Sequence, residues 1–336
     1  MAVGACILGC EGLRLSAEER RFFAKTNPWG FILFARNVDT PAQLADLTAE
    51  MRQTVGRAAP ILIDQEGGRV ARMRGPHWRE FLPALDQIRA VGPAGAERSM
   101  WLRSALIAAD LHAVGVDVNC APLADLNRPE THSVLQNRLY GSDIDTVVRL
   151  CRAARDGMAR GGVLSVLKHL PGYGRATVDS HKEPACVSAP LDDLVAHDFA
   201  PFRALTGFEM GMTAHVIVDA LDPEAPATTS AIAMDYIRRE IGFDGLLMTD
   251  DIAMEALQGS IATRSASAIA AGCDIVLHCN GKMPEMEAVT DASGPLAGAG
   301  LDRARRALAA RTTPAPLDTG ALDAELRGLV SQQAAG

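Results

Sequence analysis

The segment VLSVLKH at residues 163–169 is a short apolar run that ends in two ionisable side chains. It lacks the strict alternation of apolar and polar residues of a half-exposed strand, which favours a strand buried on both faces of a parallel sheet. Seven further short apolar runs occur, so the sequence predicts eight strands. They cover residues 6–10, 30–35, 61–64, 116–122, 163–169, 209–216, 245–250 and 274–279.

Helix-like segments lie between these runs. Ser16 with Glu19 three residues later forms a capping-box pattern, and Thr40 precedes Pro41 at a predicted helix start. The segments cover residues 16–25, 40–55, 97–114, 145–160, 191–205 and 229–241. Strands that alternate with helices predict an α/β fold, a single-domain (β/α)8 TIM-type barrel. The competing fold is an open doubly wound sheet, which would need a division into two halves.

The domain boundaries follow from the same pattern. Residues 1–311 are predicted to form the barrel, and residues 312–336 a C-terminal helical tail packed on it, because a Pro-containing stretch separates the two. The run ILGC at residues 7–10 is similar to a lipoprotein cleavage box, but the segment before it is too short for a signal peptide. We therefore interpret it as the first strand.

Composition narrows the classes of function. The net charge of −8 and the aromatic content of 4% argue against a nucleic-acid-binding surface. No run reaches the roughly 18 apolar residues of a membrane span. The seven cysteines, an odd number without a C-x-x-C pair, indicate reduced thiols. We expect a cytoplasmic protein, by default a monomer, with no nucleic-acid or membrane partner.

Ionisable residues recur where the predicted strands end, which is the face that holds the active site in barrels of this type. Five strands or their following loops contribute them. The residues are Asp64, Asp125, Lys168, His169, His215, Asp250 and Asp251. A barrel without a catalytic or binding role has little reason to place so many charges on one face.

Two loops contain further candidates. In PGYGRATVDSH at residues 171–181, Asp179 and His181 are two apart, so both point the same way in an extended segment. The carboxylate could then orient an imidazole for general acid/base work; a chance surface pair is the alternative. After the third strand, Asp64 and Arg72 could bind hydroxyl and carbonyl groups, or be a turn cap and a solvated charge.

Five motifs in order resemble glycoside hydrolase family 3, in particular its single-domain bacterial β-N-acetylhexosaminidases, over about residues 5–290. KHLPGYG at 168–174 with DSH at 179–181 is similar to the family's KHFPGHG…DSH signature. IDQEGGRV at 63–70 and TDDIAM at 249–254 are similar to its DQEGGRV and SDDLSM segments. MTAHV at 212–216 and VNCAP at 118–122 also fit.

The resemblance implies a role for each matching residue. Asp250 would be the nucleophile of a retaining exo-β-N-acetylglucosaminidase, and His181 paired with Asp179 its acid/base. The pocket for the terminal sugar would contain Asp64, Arg72, Arg138, Lys168 and His169, of which Arg138 lies in a looser match, QNRLYG at 136–141. The implied substrate is a small carbohydrate, GlcNAc linked to 1,6-anhydro-N-acetylmuramic acid with or without peptide, as released in peptidoglycan recycling. No cofactor and no metal are expected.

The match has departures, and other functions compete with it. Tyr173 stands where the family usually has His, and Thr249 where it has Ser. The second, sandwich domain of larger members is not expected here. Three alternatives remain: a metal-dependent barrel hydrolase built on Lys168, His169, His215 and Asp250; a sugar-binding barrel without activity; and a family relative that acts on glucosides or as a phosphorylase.

Overall fold

The computed structural model describes residues 2–178 and 185–332. In these two ranges eight strands form the barrel: β1 (Gly4–Leu8), β2 (Pro28–Leu33), β3 (Ile61–Ile63), β4 (Val118–Asn119), β5 (Leu164–Leu170), β7 (Met210–Thr213), β10 (Leu246–Asp251) and β11 (Ile275–His278). The barrel is closed in the order β1-β11-β10-β7-β5-β4-β3-β2, and all neighbouring pairs are parallel. Each predicted strand overlaps one of them, so the barrel fold is confirmed.

Twelve α-helices lie in the described ranges. They are α1 (Ala17–Thr26), α2 (Pro41–Val55), α3 (Ala84–Ala113), α4 (Ser133–Gln136), α5 (Ile144–Arg160), α6 (Leu191–Ala196), α7 (Ala200–Ala204), α8 (Ala231–Arg239), α9 (Ile261–Ala271), α10 (Met283–Ser293), α11 (Gly298–Ala309) and α12 (Thr319–Gln332). The predicted caps are present: Ser16 and Glu19 form the capping box of α1, and the Thr40 side chain accepts from the Gln43 N–H at the start of α2.

Side chains alternate between two apolar clusters along the barrel strands. Ile7, Leu62, Val166 and Met248 belong to a cluster formed by strand residues and by α11. Their chain neighbours pack instead against the surrounding helices; these include Leu8, Ile63, Leu167 and Leu247. A residue in a strand points away from the next one, so the first cluster fills the barrel interior and the second joins barrel and helices.

Several predicted elements have different boundaries in the structure. The segment predicted as one strand at residues 209–216 ends as a barrel strand at Thr213, and β8 (Val216–Val218) pairs instead with β6 (Ala185–Val187) and β9 (Asp222–Pro226) in a separate sheet. The predicted helix at 191–205 consists of α6 and α7. The predicted helix at 97–114 starts earlier, within α3, which is interrupted at Gly92 with φ of 66°.

Helix α12 packs against α3 on the outside of the barrel. Leu326 of α12 contacts Leu102 and Leu106 of α3, and Arg98 and Glu325 form an ion pair with N–O distances of 2.7 Å. These contacts place α12 against α3. None of the described helices combines the length and apolar character that crossing a membrane requires.

Candidate active site

A cavity of about 310 Å³ opens at the carboxyl ends of the barrel strands. That volume is within the range of roughly 300–1,000 Å³ typical of small-molecule pockets. Its walls combine charged residues with apolar ones. The lining consists of Phe34, Asp64, Arg69, Val70, Arg72, Val134, Leu135, Arg138, Lys168, His169, Tyr173, Met212, Asp250, Asp251, Met254, Leu277 and Cys279.

One wall of the cavity is a chain of alternating charges. The Lys168 ammonium, at the end of β5, lies 3.0 Å from Asp64 Oδ1 and 2.8 Å from Glu66 Oε1. Arg72 donates to Asp64 Oδ2 at 3.1 Å, and Arg138 forms two hydrogen bonds of 2.9 Å with the Glu66 carboxylate. Because each charge has an opposite neighbour, the four charged side chains of this wall are held in a fixed arrangement together with Glu66, which does not itself line the cavity.

These contacts keep the groups ionised in spite of burial. Burial raises the pKa of Asp64 and Glu66, but the cations beside them outweigh it, so both carboxyl pKa values lie below their usual range. Burial lowers the pKa of Lys168, yet Glu66 and Asp64 hold it above its ordinary value. The wall therefore offers donors and acceptors to a polyhydroxylated ligand at neutral pH.

The loop after β3 is held from behind by α3. The buried Arg103 guanidinium donates to the Glu66 carbonyl oxygen and to Gln87 Oε1. Gly67 has φ of 88°, and a Cβ atom there would overlap the Arg103 guanidinium. Only glycine accepts both the left-handed backbone and this close approach, which explains the first glycine of the Glu66-Gly67-Gly68 segment.

His169 is oriented by a buried carboxylate. Asp125 Oδ2 lies 2.8 Å from His169 Nδ1, and Asp125 Oδ1 accepts from the Tyr173 N–H at 2.7 Å. An ionised carboxylate only accepts, so Nδ1 carries a hydrogen. The Tyr173 hydroxyl donates to the Val178 carbonyl at 3.2 Å. One carboxylate thus orients a pocket imidazole and the start of the following loop.

Asp250 and Asp251 end β10 and form the opposite wall. The Asp251 N–H donates to Asp250 Oδ1 at 2.8 Å. The Asp251 carboxylate accepts from the N–H groups of Ala253 and Cys279, at 3.1 and 3.2 Å. The Asp251 carboxylate therefore stabilises the turn that places the Asp250 carboxylate at the cavity.

The structure brings together six of the eight residues given catalytic or binding roles from the sequence: Asp64, Arg72, Arg138, Lys168, His169 and Asp250 all line the same cavity. Asp179 and His181 lie outside the described residues. Sequence reasoning did not assign roles to Glu66 and Asp125. Glu66 lies in the quoted IDQEGGRV motif and Asp125 follows the predicted fourth strand, so position near a strand end was the available signal.

The three nitrogen-bearing side chains of the metal-dependent alternative have partners within the protein. Lys168 contacts Asp64 and Glu66, His169 contacts Asp125, and both ring nitrogens of His215 are hydrogen-bonded. Within residues 2–178 and 185–332, no three His, Cys, Asp or Glu side chains form a group able to hold a metal ion.

A barrel with a charged pocket at the carboxyl ends of its strands defines a TIM-barrel enzyme site. The family described as "Glycosyl hydrolase family 3 N terminal domain" matches residues 4–308. A beta-hexosaminidase from Alkalilimnicola ehrlichii is 40% identical over 290 residues, which cover 83% of this chain and 82% of that protein. One from Nitrosomonas eutropha is 37% identical over 289 residues, with the same coverage of 83% and 82%.

A solved structure gives the same result. NagZ from Neisseria gonorrhoeae in complex with N-trifluoroacetyl-D-glucosamine superposes with a TM-score of 0.87 at 31% identity, covering 98% of this chain and 99% of that one. The chain is a glycoside hydrolase. More specifically, it belongs to glycosyl hydrolase family 3, with beta-hexosaminidases among its relatives.

Proposed function

We propose that this glycoside hydrolase is a retaining exo-β-N-acetylglucosaminidase that uses Asp250 as nucleophile. The observation that supports this most directly is the position of Asp250, at the end of β10, in the same cavity as the charged wall around Lys168. A carboxylate on one side and an array of donors and acceptors on the other suit a sugar ring between them.

The charged wall would bind the non-reducing GlcNAc. Asp64 accepts from hydroxyls, whereas Lys168, Arg72 and Arg138 donate to ring substituents. His169 directs its Nδ1 at Asp125, which leaves Nε2 as the ring nitrogen available to a sugar hydroxyl. Because these groups are already paired with one another, little rearrangement is needed when the sugar enters.

The reaction would proceed by double displacement. Asp250 attacks the anomeric carbon as the bond to the leaving oxygen breaks, and His181 gives that oxygen a proton. A glycosyl-aspartate ester forms. The same imidazole then removes a proton from water, which attacks the anomeric carbon, frees Asp250 and releases GlcNAc with the β configuration. Asp179 would orient His181 by a hydrogen bond.

The proposed substrate is GlcNAc linked to 1,6-anhydro-N-acetylmuramic acid, with or without peptide, in peptidoglycan recycling. The motif resemblance supports the substrate, and the amino sugar bound in the Neisseria gonorrhoeae structure is consistent with its terminal unit. A cytoplasmic site of action is part of the proposal, since the protein has seven cysteines, none of them in a disulfide. The active form would be a monomer.

Aryl glycosides test the activity directly. The 4-nitrophenyl glycosides of GlcNAc, GalNAc and glucose are compared with and without phosphate, on wild-type protein and on Asp250→Ala. Preferential release from the GlcNAc glycoside, independent of phosphate and lost in Asp250→Ala, supports the proposal. A preference for the glucoside, or a requirement for phosphate, identifies instead the glucosidase or phosphorylase alternative.

A covalent trap tests the nucleophile. A 2-fluoro glycoside with a good leaving group should accumulate an ester on Asp250, to be located by peptide mass spectrometry. A label on another carboxylate would refute the assignment.

A further inference from the structure

His215 lies next to the nucleophile's turn without lining the cavity. It follows β7, is 1% exposed, and bridges two elements. Its Nε2 is 2.9 Å from the Asp251 carbonyl oxygen, and its Nδ1 is 2.7 Å from Thr228 Oγ1. Both ring nitrogens are therefore engaged by groups that belong to the protein.

The partners determine which nitrogen carries the hydrogen. A carbonyl oxygen only accepts, so Nε2 is the donor. Burial lowers the pKa of His215 and outweighs the opposing effect of Asp250. In the neutral ring, Nδ1 then accepts from the Thr228 hydroxyl at 2.7 Å, which is the nearer of that hydroxyl's two acceptors; the other is the Ala214 carbonyl oxygen at 3.1 Å. That hydroxyl lies 2.8 Å from Thr213 Oγ1, which can donate to it in turn.

His215 and Asp250 contact the two neighbouring peptide groups of one residue, Asp251. Asp251 donates its N–H to Asp250 Oδ1 at 2.8 Å and offers its carbonyl to His215 at 2.9 Å. Holding the carbonyl restricts rotation of Asp251 about its backbone, and so restricts the direction of its N–H. A donor held in this way needs no rearrangement when charge on the carboxylate changes.

We infer that His215 is a positioning residue for the glycosidase reaction, a neutral Nε2–H donor that fixes Asp251 so that its N–H is aimed at Asp250. The inference rests on the proposed role of Asp250. Among the described residues, the charged and titratable groups near the ring are Asp250 and Asp251 of β10 and His169 of β5. A neutral imidazole adds no charge beside these side chains. His215 therefore acts by holding the Asp251 backbone in place and not as an acid.

The test replaces the donor and measures the nucleophile's step alone. In His215→Leu the rate constant for trapping by the 2-fluoro glycoside should fall about 10²-fold, the scale expected for misplacement of a reacting group. His215→Gln can place an amide N–H near the position of Nε2 and should retain most of the rate. The inhibition constant of GlcNAc should change little in either variant, because His215 does not line the sugar pocket.

A second readout separates positioning from general stabilisation. The acid limb of the kcat/KM profile should move to higher pH in His215→Leu, because the Asp250 carboxylate loses a well-aimed donor that favours its anion. In His215→Gln the limb should stay in place. Thr228→Val is the matched control: it removes the contact to Nδ1 but leaves the Nε2–H donor, so the limb should also stay in place.

Three results would overturn the inference: trapping at the wild-type rate in His215→Leu, a folded His215→Gln as slow as His215→Leu, or a GlcNAc inhibition constant that rises as much as trapping slows. If His215→Leu does not fold, the acid limb of the kcat/KM profile of His215→Gln provides the test. A limb displaced from its wild-type pH contradicts the inference, and an unmoved limb supports it. Failure of the proposed function is distinguishable, since it appears as a label away from Asp250 in wild-type protein.

Discussion

Glu66 and Arg138 form a bidentate ion pair in which both N–O distances are 2.9 Å. Glu66 belongs to the loop after β3, and Arg138 follows α4, so the pair ties two loops together at the wall of the cavity. Glu66 also lies 2.8 Å from Lys168. The carboxylate thus balances two buried cations that line the cavity, a role that the motif around it did not reveal.

Removing this charge should weaken both the fold and the site. Glu66→Gln keeps the size of the side chain but leaves Arg138 and Lys168 less well compensated, so we expect a loss of about 3 kcal/mol of unfolding free energy and a higher KM. Urea unfolding and steady-state kinetics measure the two effects. Glu97→Gln is the control, because Glu97 is 59% exposed in its ion pair with Arg149. Equal stability of the two variants would contradict the prediction.

The same carboxylates predict how stability depends on pH. Their folded pKa values lie below the ordinary 3.8 of Asp64 and 4.5 of Glu66. The unfolded chain therefore takes up protons first as pH falls, and the stabilisation present above about pH 4.5 is lost progressively below it. Denaturant titrations over this range should show a smaller decrease for Glu66→Gln than for the wild-type protein. Parallel curves would show that Glu66 contributes nothing to the acid sensitivity.

The backbone of the loop after β3 gives a prediction with an internal control. In Gly67→Ala the added Cβ would both sit on a backbone with a left-handed φ of 88° and overlap the Arg103 guanidinium. Gly56 also has a left-handed φ, of 66°, but nothing lies within 4 Å of an added Cβ. Gly56→Ala should lose only the backbone preference, about 1–2 kcal/mol. Gly67→Ala should lose more and also raise KM, because Glu66 moves. Thermal unfolding and kinetics decide; an unchanged KM in Gly67→Ala would count against this coupling.

Metal removal should leave the enzyme unaffected. Lys168 Nζ, His169 Nδ1 and both ring nitrogens of His215 are directed at protein oxygens, and the proposed reaction uses only protein side chains and water. Extended dialysis against a chelator, followed by the GlcNAc glycoside assay, should give an unchanged kcat. A loss restored by zinc would favour the metal-dependent alternative.

Much of the fold was predictable because its determinants are local. Runs of buried residues and helix caps such as Ser16 and Thr40 act over a few residues, so the eight strands and most helices could be placed. The division of residues 209–216 could not. Met210–Thr213 and Val216–Val218 are both largely apolar and mostly buried, and only pairing with distant strands assigns them to different sheets.

The sequence by itself determined which residues lie at the strand ends, and therefore that Asp64, Lys168, His169 and Asp250 share one face. The tertiary structure decided their partners: Glu66 with Arg138 across 72 residues, Asp125 with His169 across 44, and Asp251 with His215 across 36. The physical reason is that the order of residues along a strand sets the side chain's direction. Contacts between loops depend instead on how the closed barrel brings different strand ends together, which no local pattern encodes.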